Sequence, residues 1–489
     1  MLLVQCINFL KMVEKMNKEK VMLMYPNFKW TDWKEGTAWS PQPTNLCILA
    51  TTIEDKYDVV IFDGNLDHTS KEEFYNIIEK ENPNILGISV LTNEYGIAGS
   101  VGAGIAKKIN PNIKVVMGGV HPTSLPDIVA SDPNIDYAFI GEGEEMFGDF
   151  CDFLTGKCDI PKKGLAYKKN GKIINTGRTD FIKDLNKLPF PAYHKVDFMR
   201  YATRVEREEV GQATEMPYAH IMTSRGCPYG CCFCEVESIS GRRPRLRSVE
   251  NVVSEMERLI SDYGIKTILF DDDNLLIDKK RAKNLFQTMI DRKYNLKWNA
   301  GSLSLFRLDE ELIDLMEKSG CSFASCAIES GVQRVMDEII HKPLKLDHVR
   351  KMMKKLKETN IFISTAFIVG FPNESWNEIR QTLRFAEEID IDYVKINIAT
   401  PLPNTEIYRT AKEKEYLVDG FRFDRHLWSD GWIKTKEFNP QNLKILRAYE
   451  WDRINFTNPD KREKIIKRMG ISEERLNEIR KNTLKAAHE

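Results

Sequence analysis

The sequence predicts an α/β protein that contains two successive regions of parallel sheet and ends in a helical region. From residue 20 short β-rich runs alternate with helical stretches, a second alternating series begins near residue 216, and the alternation stops after Pro403. Buried strands separated by helices are typical of parallel βαβ units. We therefore expect a doubly wound, flavodoxin-like or Rossmann-like domain, then a partial (β/α)6 barrel and C-terminal helices.

The composition is that of a globular chain. Hydrophobic residues make up 42% and charged residues 29% of the 489 residues, and the formal net charge is -1. This charge provides no global basic field for nucleic acid, and no apolar run reaches the length of a membrane span. Residues 1–19 lack the order of a secretory signal. We predict a leader helix there and a cytoplasmic protein, with a membrane-surface anchor as the alternative.

The first domain is expected over residues 20–158. Its five predicted strands lie in "KVMLMYP", "DVVIFDG", "NILGISVL", "IKVVMGG" and "IDYAFIG". Ligands of such sheets bind beyond the carboxyl ends of the strands. The polar and glycine-rich ends "SVLTN", "GGVHPT" and "GEGEE" would meet at that edge and form a binding site.

Three further segments follow. Residues 159–215 predict a linker with a small hairpin around Asn170–Gly171. Residues 216–405 carry six βα units, whose functional groups are expected at the C-terminal ends of the strands. Residues 406–489 predict C-terminal helices. "NAGSLS" and the tail tryptophans Trp428, Trp432 and Trp451 are candidate pocket residues, and plain packing is the alternative.

One loop concentrates cysteines. "SRGCPYGCCFCEVES" holds four of the ten cysteines, with Cys227, Cys231 and Cys234 in a Cys-x3-Cys-x2-Cys spacing and Cys232 in addition. Three thiolates from one tight loop can ligate three irons of a 4Fe–4S cube, which leaves the fourth iron open for a ligand. The alternative is a structural zinc site with Cys232 as the fourth ligand, although adjacent ligands would be awkward in tetrahedral geometry.

This loop, placed after the first strand of the second series, resembles that of the radical S-adenosylmethionine (SAM) superfamily. The resemblance implies that SAM binds the open iron through its amine and carboxylate, and that electron transfer releases a 5′-deoxyadenosyl radical. It implies SAM contacts at six positions: Phe233 near the adenine, Asp272 and Asp273 of "FDDDN" near the amine, Glu329 and Ser330 of "AIESG", and Gly370 of "VGFPNES". A helix cap is the alternative for the aspartates, and Ala327 replaces a glycine that is usual in the family.

The first domain resembles the cobalamin-binding modules that precede one subgroup of these enzymes. Ser89-Val90-Leu91 matches an SxL motif and Gly118-Gly119 a GG motif. The resemblance implies cobalamin contacts from Ser89, Leu91, Thr92, Gly118, Gly119, His121, Gly141 and Glu142. The DxHxxG motif is absent, so we predict that no histidine ligates cobalt. A generic doubly wound domain is the alternative.

Together these resemblances predict a cobalamin-dependent radical SAM methyltransferase with a 4Fe–4S cluster, SAM and methylcobalamin as cofactors. The radical would take a hydrogen atom from an unactivated carbon, and methylcobalamin would then supply the methyl group. The substrate would be a small molecule, lipid or peptide, and an external flavodoxin- or ferredoxin-type protein would supply electrons. Two alternatives are an oxidation, cyclisation or rearrangement without methyl transfer, and a non-catalytic sensor.

Overall fold

The computed structural model describes residues 18–31, 41–92, 96–205, 208–424 and 429–489. Most of the predicted leader helix and the candidate pocket residue Trp428 lie outside these ranges. The chain divides between Tyr201 and Ala202 into two compact units. None of the described helices is long and apolar enough to cross a membrane.

The first unit is built on a seven-stranded sheet. Its strands are β1 (Lys20–Tyr25), β2 (Asp58–Asp63), β3 (Ile85–Val90), β4 (Lys114–Gly119), β5 (Tyr137–Phe139), β6 (Leu165–Lys169) and β7 (Lys172–Asn175). Its helices are α1 (Thr44–Ile53), α2 (Lys71–Glu81), α3 (Gly96–Ile109), α4 (Val120–Ser124), α5 (Pro126–Ser131), α6 (Phe147–Leu154) and α7 (Phe198–Ala202), the last of which crosses the division.

The strand order is β2-β1-β3-β4-β5-β6-β7, and the first five strands are parallel. This is the flavodoxin order, in which the direction of winding changes between β1 and β3 and ligands bind at that point. The doubly wound prediction is confirmed. The β6–β7 hairpin forms around Asn170 and Gly171, both with positive φ, and it extends the sheet antiparallel to β5.

Helix α3 lies close to this sheet because it presents glycines to its neighbours. A Cβ atom at Gly99 would lie 2.6 Å from the Met117 methyl group, and one at Gly102 would lie 3.2 Å from the Trp30 ring. Larger side chains would push the helix outward, so the run "GIAGSVGAGIAKKI" sets the thickness of this layer.

The second unit contains six parallel strands that pair in chain order. They are β8 (Tyr218–Ile221), β11 (Thr267–Phe270), β12 (Lys297–Leu303), β13 (Cys321–Glu329), β14 (Phe362–Val369) and β15 (Tyr393–Ile398), and a separate two-stranded ribbon comprises β9 (Ser224–Arg225) and β10 (Arg245–Leu246). The helices are α8 (Val236–Ile239), α9 (Val249–Tyr263), α10 (Lys279–Asp291), α11 (Glu310–Lys318), α12 (Leu346–Leu356), α13 (Trp376–Glu388), α14 (Glu406–Glu413), α15 (Pro440–Phe456), α16 (Pro459–Met469) and α17 (Glu473–Ala486), with a π-helical turn at Val335–Ile340.

These strands form the predicted partial barrel, which leaves β15 with an unpaired edge. Side chains of α15 occupy part of that edge. The Asn455 amide accepts a hydrogen bond from the Val394 N–H (2.8 Å) and donates one to the Val394 carbonyl (2.9 Å). The Arg447 guanidinium donates to the Ile396 carbonyl. Helix α15 therefore substitutes for a missing neighbouring strand.

Candidate functional site

The cysteine loop begins at a backbone position that requires glycine. Gly226 has φ +90°, and a Cβ atom there would lie 2.8 Å from the Arg243 carbonyl oxygen and 2.9 Å from that of Gly241. The next residue, Cys227, donates its N–H to the Gly241 carbonyl (3.1 Å). The loop is thus packed directly on the backbone of residues 240–243.

Cys227, Cys231 and Cys234 are partly exposed and unbonded to one another. The pKa of the Cys231 thiol is raised to about 11 and that of Cys234 to about 12, mainly by burial and in smaller part by neighbouring loop cysteines. The Cys234 N–H donates to the Cys231 carbonyl (3.0 Å), so these two cysteines lie on one tight turn. The described residues hold no group of three His, Cys, Asp or Glu side chains that could bind one metal ion. A 4Fe–4S cube does not need three ligands on one metal ion, because each cysteine ligates a separate iron. The loop therefore fits a cube.

Cys232 differs from these three cysteines in its burial and in its backbone contacts. Its side chain is buried, and its backbone N–H donates to the Ile340 carbonyl (3.1 Å) while its own carbonyl accepts from the Ile407 N–H (3.0 Å). These bonds fix the middle of the loop between the π-helical turn and the start of α14. We therefore assign Cys232 an anchoring role.

Asp272 and Asp273, which follow β11, hold the first turn of the loop. The buried Asp272 carboxylate accepts from the Thr223 N–H (3.2 Å), the Thr223 hydroxyl (2.7 Å) and the Ser224 hydroxyl. Burial raises its pKa to about 6, although these hydrogen bonds act in the opposite direction. Asp273 accepts from the Gly226 N–H (2.8 Å). Both carboxylates thus support the cysteine loop from the neighbouring strand end.

Glu329 ends β13 in a strained conformation and forms a buried ion pair. Its φ is +77°, which is rare for a residue with a side chain and is often found at functional sites. Lys342 Nζ lies 2.9 Å from the Glu329 carboxylate and 2.6 Å from the Ala327 carbonyl. The Lys342 charge also opposes the effect of burial on the pKa of Cys227 and Cys231, so this ammonium lies close to the proposed cluster ligands.

Lys342 was missed by the sequence analysis. It follows the π-helical turn in "HKPL", and nothing in its local pattern distinguishes it from a surface lysine. Its side chain is 7% exposed, and this burial distinguishes it from a surface lysine. Ser330 was predicted to contact SAM, which stays a prediction. Its fully buried hydroxyl interacts with Thr382 (3.0 Å) and accepts from the Val332 N–H (3.1 Å). These bonds tie the strand end to α13.

The turn after β14 lies next to the cysteine loop. The Phe233 ring centroid is 6.1 Å from that of Phe371. Gly370 has φ +90°, and a Cβ atom there would lie 2.5 Å from Leu443 of α15. The turn is held by Glu374, whose carboxyl accepts the N–H groups of Gly370 (2.7 Å) and Phe371 (3.1 Å). Phe233 and Gly370, which were both predicted to contact SAM, therefore lie close to each other.

In the first unit the SxL serine lies at the point where the winding changes. The Asn45 amide donates to the Ser89 hydroxyl (3.1 Å) and accepts from the Tyr25 hydroxyl at the end of β1. Nearby along the chain, the Thr92 hydroxyl oxygen is buried and has no hydrogen-bond partner among the residues that the structure describes. Leu91 packs partly buried against the core. An unsatisfied buried hydroxyl is a group that a polar ligand could satisfy.

The two glycines of the GG pair differ in their surroundings and in their backbone conformation. Within the described ranges, a Cβ atom at Gly118 would have no neighbour closer than 3.9 Å, so these residues leave space beside it. Gly119 has φ +101°, and a Cβ atom there would lie 2.5 Å from the Val90 carbonyl oxygen. Gly119 is therefore required by the backbone, whereas Gly118 leaves room for a ligand. Together with the Thr92 hydroxyl, this opening fits a cobalamin site.

The remaining predicted cobalamin contacts are engaged within the protein. His121 is buried against Gly96, where a Cβ atom would lie 2.6 Å from the imidazole Nε2. The Gly141 N–H donates to the Thr123 hydroxyl (3.0 Å), and the Glu142 carboxylate accepts from the Ile182 N–H (2.7 Å). These contacts connect the loops at the carboxyl ends of the strands to one another.

The two described tail tryptophans are also packed within the protein. The Trp451 indole donates to the Tyr393 hydroxyl (3.0 Å), and its ring meets Phe456 edge-on at 5.0 Å. Trp432 packs against Phe421 at 5.7 Å between ring centroids. These contacts favour the packing alternative, although Trp451 also lines a cavity together with Tyr393 and Arg447.

Comparison with known proteins gives matches along most of the chain. Residues 221–386 match the Radical SAM superfamily, and residues 40–150 match the B12 binding domain. An uncharacterized methyltransferase of Pyrococcus horikoshii is 32% identical over 88% of this chain and 91% of its own length. The cytidylyl-2-hydroxyethylphosphonate methyltransferase of Streptomyces wedmorensis is 30% identical over 70% of this chain and 68% of its length.

A solved structure shows the same fold. The radical S-adenosylmethionine methyltransferase TsrM from Kitasatospora setae, determined with cobalamin and a 4Fe–4S cluster bound, superposes with a TM-score of 0.65 at 18% identity. The superposition covers 81% of this chain and 75% of TsrM.

Proposed function

Because the chain belongs to the family of cobalamin-dependent radical SAM methyltransferases, we propose that it methylates an unactivated carbon of a small-molecule, lipid or peptide substrate in the cytoplasm. The observation that carries this proposal is the cysteine loop, which offers three thiols from one turn beside a buried ammonium–carboxylate pair. When bound, the cluster would supply the electron that cleaves SAM, and cobalamin would supply the methyl group.

The residues of this chain would bind and orient these groups. Cys227, Cys231 and Cys234 would ligate three irons, and Cys232 would hold the loop through its backbone. We expect Lys342 to attract the carboxylate of SAM, because a buried ammonium beside the cysteines is strongly attracted to an anion. Glu329 offsets that charge in the absence of SAM.

In the first unit Asn45 orients the Ser89 hydroxyl. The Ser89 oxygen accepts the Asn45 N–H, so its own O–H is directed to another acceptor. Gly118 leaves space that any other residue would fill. We propose that Ser89, Thr92 and Gly118 contact cobalamin, and that no histidine ligates cobalt.

The test is SAM cleavage by the reconstituted enzyme. Anaerobic protein loaded with iron, sulfide and cobalamin and reduced chemically should convert SAM to 5′-deoxyadenosine. Cys227→Ala should lose the cluster absorbance and the product, whereas the matched control Cys232→Ala should retain both because its thiol is not a ligand. Full iron content in Cys227→Ala, or no cleavage by fully loaded wild type, would contradict the proposal. The mass of the product from a turned-over substrate then separates methylation from oxidation, cyclisation or rearrangement.

A further inference from the structure

One polar side chain next to the cysteine loop is buried without a partner. Asn274 follows β11 in "FDDDN" and is 2% exposed. Its amide nitrogen and its amide oxygen are both buried, and neither has a hydrogen-bond partner among the residues that the structure describes. Because a buried polar group without a partner destabilises a fold, such groups are rare and point to a ligand that supplies the missing bond.

Asn274 lies in a turn of hydrophobic residues. The next two residues, Leu275 and Leu276, have buried side chains. The backbone carbonyl of Asn274 accepts the Ile277 N–H at 3.2 Å, so it is used within the turn. The side-chain amide is therefore held in an apolar environment, where bulk water does not reach it.

The two residues that precede Asn274 are bonded within the protein. Asp272 accepts the Thr223 hydroxyl at 2.7 Å, and Asp273 accepts the Gly226 N–H at 2.8 Å. The three side chains follow the same strand, yet the two carboxylates hold the cysteine loop and the amide does not contribute to that bonding. The amide is thus still available for a ligand.

Asn274 lies next to Cys227. The hydrogen bond between Asp273 and Gly226 joins the two residues that immediately precede them in the chain. Burial raises the pKa of the Cys227 thiol, whereas the Tyr229 N–H and the Asn274 side chain lower it by hydrogen bonding. The amide therefore acts on the Cys227 sulfur, although its nitrogen falls short of a complete hydrogen bond with that atom.

Resting on the proposed function, we propose that the Asn274 amide N–H donates a hydrogen bond to the iron-bound Cys227 thiolate and thereby raises the reduction potential of the cluster. Hydrogen bonds to the sulfur atoms are one of the factors that set the potential of an iron–sulfur cluster. An added electron makes the cluster more negative, so a donated N–H stabilises the reduced form more than the oxidised form. The amide oxygen cannot donate and has no part in this role.

The test measures the reduction potential of the full-length protein loaded with cluster and cobalamin, in the absence of SAM. In a redox titration followed by EPR, Asn274→Leu should lower the ratio of reduced to oxidised cluster about tenfold at a given potential, as expected for one hydrogen bond to a charged group. For a one-electron couple this is a fall of about 59 mV in the midpoint. The control Asn284→Leu changes an exposed asparagine on α10 and should leave the midpoint unchanged. Equal midpoints for wild type and Asn274→Leu, or an equal fall in the control, would overturn the proposal.

The stability of the cluster-free chain separates this role from a structural one. Without the cluster, Asn274→Leu should melt at or above the temperature of wild type, because leucine has a similar volume and removes two buried polar atoms that lack partners. Asn455→Leu is the contrast, since Asn455 is also buried but bonds both backbone groups of Val394, and it should lower the melting temperature. A fall in Asn274→Leu as large as that in Asn455→Leu would show that the amide serves the fold and would contradict the proposal.

Binding of SAM separates this proposal from the alternative that Asn274 contacts SAM. If Asn274→Leu weakens SAM binding and leaves the SAM-free midpoint unchanged, the amide serves SAM and the proposal fails. A cluster-loaded wild type that does not cleave SAM would contradict the proposed function alone, because the midpoint is measured without SAM, whereas a wild type that holds no cluster would overturn both. Asn274→Val, which is smaller and also apolar, provides the same test should Asn274→Leu lose iron. Loss of iron from both variants would show that the amide is needed to hold the cluster, which would also overturn the proposal.

Discussion

At the scale of single residues, Glu374 shows how the turn after β14 is held. Its side chain is 1% exposed, and one carboxyl oxygen accepts two backbone N–H groups. The other oxygen, Oε1, is buried without a hydrogen-bond partner in the described part of the chain. Burial raises the pKa of Glu374 to about 8. The carboxyl is therefore protonated at neutral pH in the folded protein.

We predict that Glu374 makes the fold less stable as the pH rises. The folded pKa of about 8 lies above the model-peptide value of 4.5, so the unfolded state releases this proton first. The stabilisation is present below the unfolded pKa and is lost as the pH rises toward 8, by at most about 1.4 kcal/mol per pH unit. In Glu374→Gln the melting temperature should depend less on pH between 5 and 8, because glutamine keeps an acceptor and cannot ionise.

The control for this prediction is Glu378, whose pKa is shifted in the other direction. The Arg334 guanidinium lowers the pKa of Glu378 to about 2. Glu378→Gln should therefore reduce the loss of stability in acid, below about pH 4.5. It should change the slope between pH 5 and 8 less than Glu374→Gln does, because the Glu378 charge raises the pKa of Glu374 less than burial does. An unchanged slope in Glu374→Gln would show that Glu374 is ionised in the fold.

At the scale of secondary structure, α15 completes the open side of the barrel. Its Asn455 side chain satisfies both backbone groups of Val394, although the two residues are 61 positions apart. The same helix places Leu443 against Gly370 at the end of the neighbouring strand. The C-terminal region therefore belongs structurally to the barrel and supports the turn that follows β14.

We predict that Asn455→Ala destabilises the second unit. The substitution leaves a buried N–H and carbonyl of Val394 unpaired, which costs about 1–3 kcal/mol. The midpoint of its urea unfolding transition should fall, whereas the exposed Asn442 on the same helix should tolerate alanine with little change. Equal midpoints for the two variants would show that the β15 edge does not depend on this amide.

At the scale of the whole molecule, the residues proposed for the two cofactors lie in different compact units. Ser89, Thr92 and Gly118 belong to the unit that ends at Tyr201, whereas the cysteine loop belongs to the unit that begins at Ala202. Each unit has its own parallel sheet and its own strand-end loops. Binding of each cofactor is therefore expected to be separable.

We predict that Gly118→Val removes cobalamin and retains iron. The added side chain would occupy the open space beside Gly118, where the nearest neighbour of a Cβ atom is 3.9 Å away, so the sheet should remain folded. The cobalamin absorbance should disappear after gel filtration, while the iron content stays at the wild-type level. Gly104→Val on α3, where a Cβ atom would meet only Asn134 at 3.6 Å, is the control and should retain both. Cobalamin retained by Gly118→Val would exclude this glycine from the binding site.

The order of elements, the two sheets and the cofactor families could be predicted from the sequence, because they depend on local periodicity and on short motifs. The Cys-x3-Cys-x2-Cys spacing lies within eight residues, so its chemistry can be read without a fold. The predicted fold class and the predicted cofactors are confirmed.

The tertiary structure alone decided how these motifs are supported. Lys342 reaches Glu329 across 13 positions, Asp272 reaches Thr223 across 49, and Asn455 reaches Val394 across 61. Such contacts join residues whose local patterns are unremarkable, and their energy arises only when folding excludes water from both partners. The predictions that Ser330 contacts SAM and that His121 contacts cobalamin rest on short motifs, and only the tertiary structure shows the Ser330 hydroxyl beside Thr382 and His121 packed against Gly96.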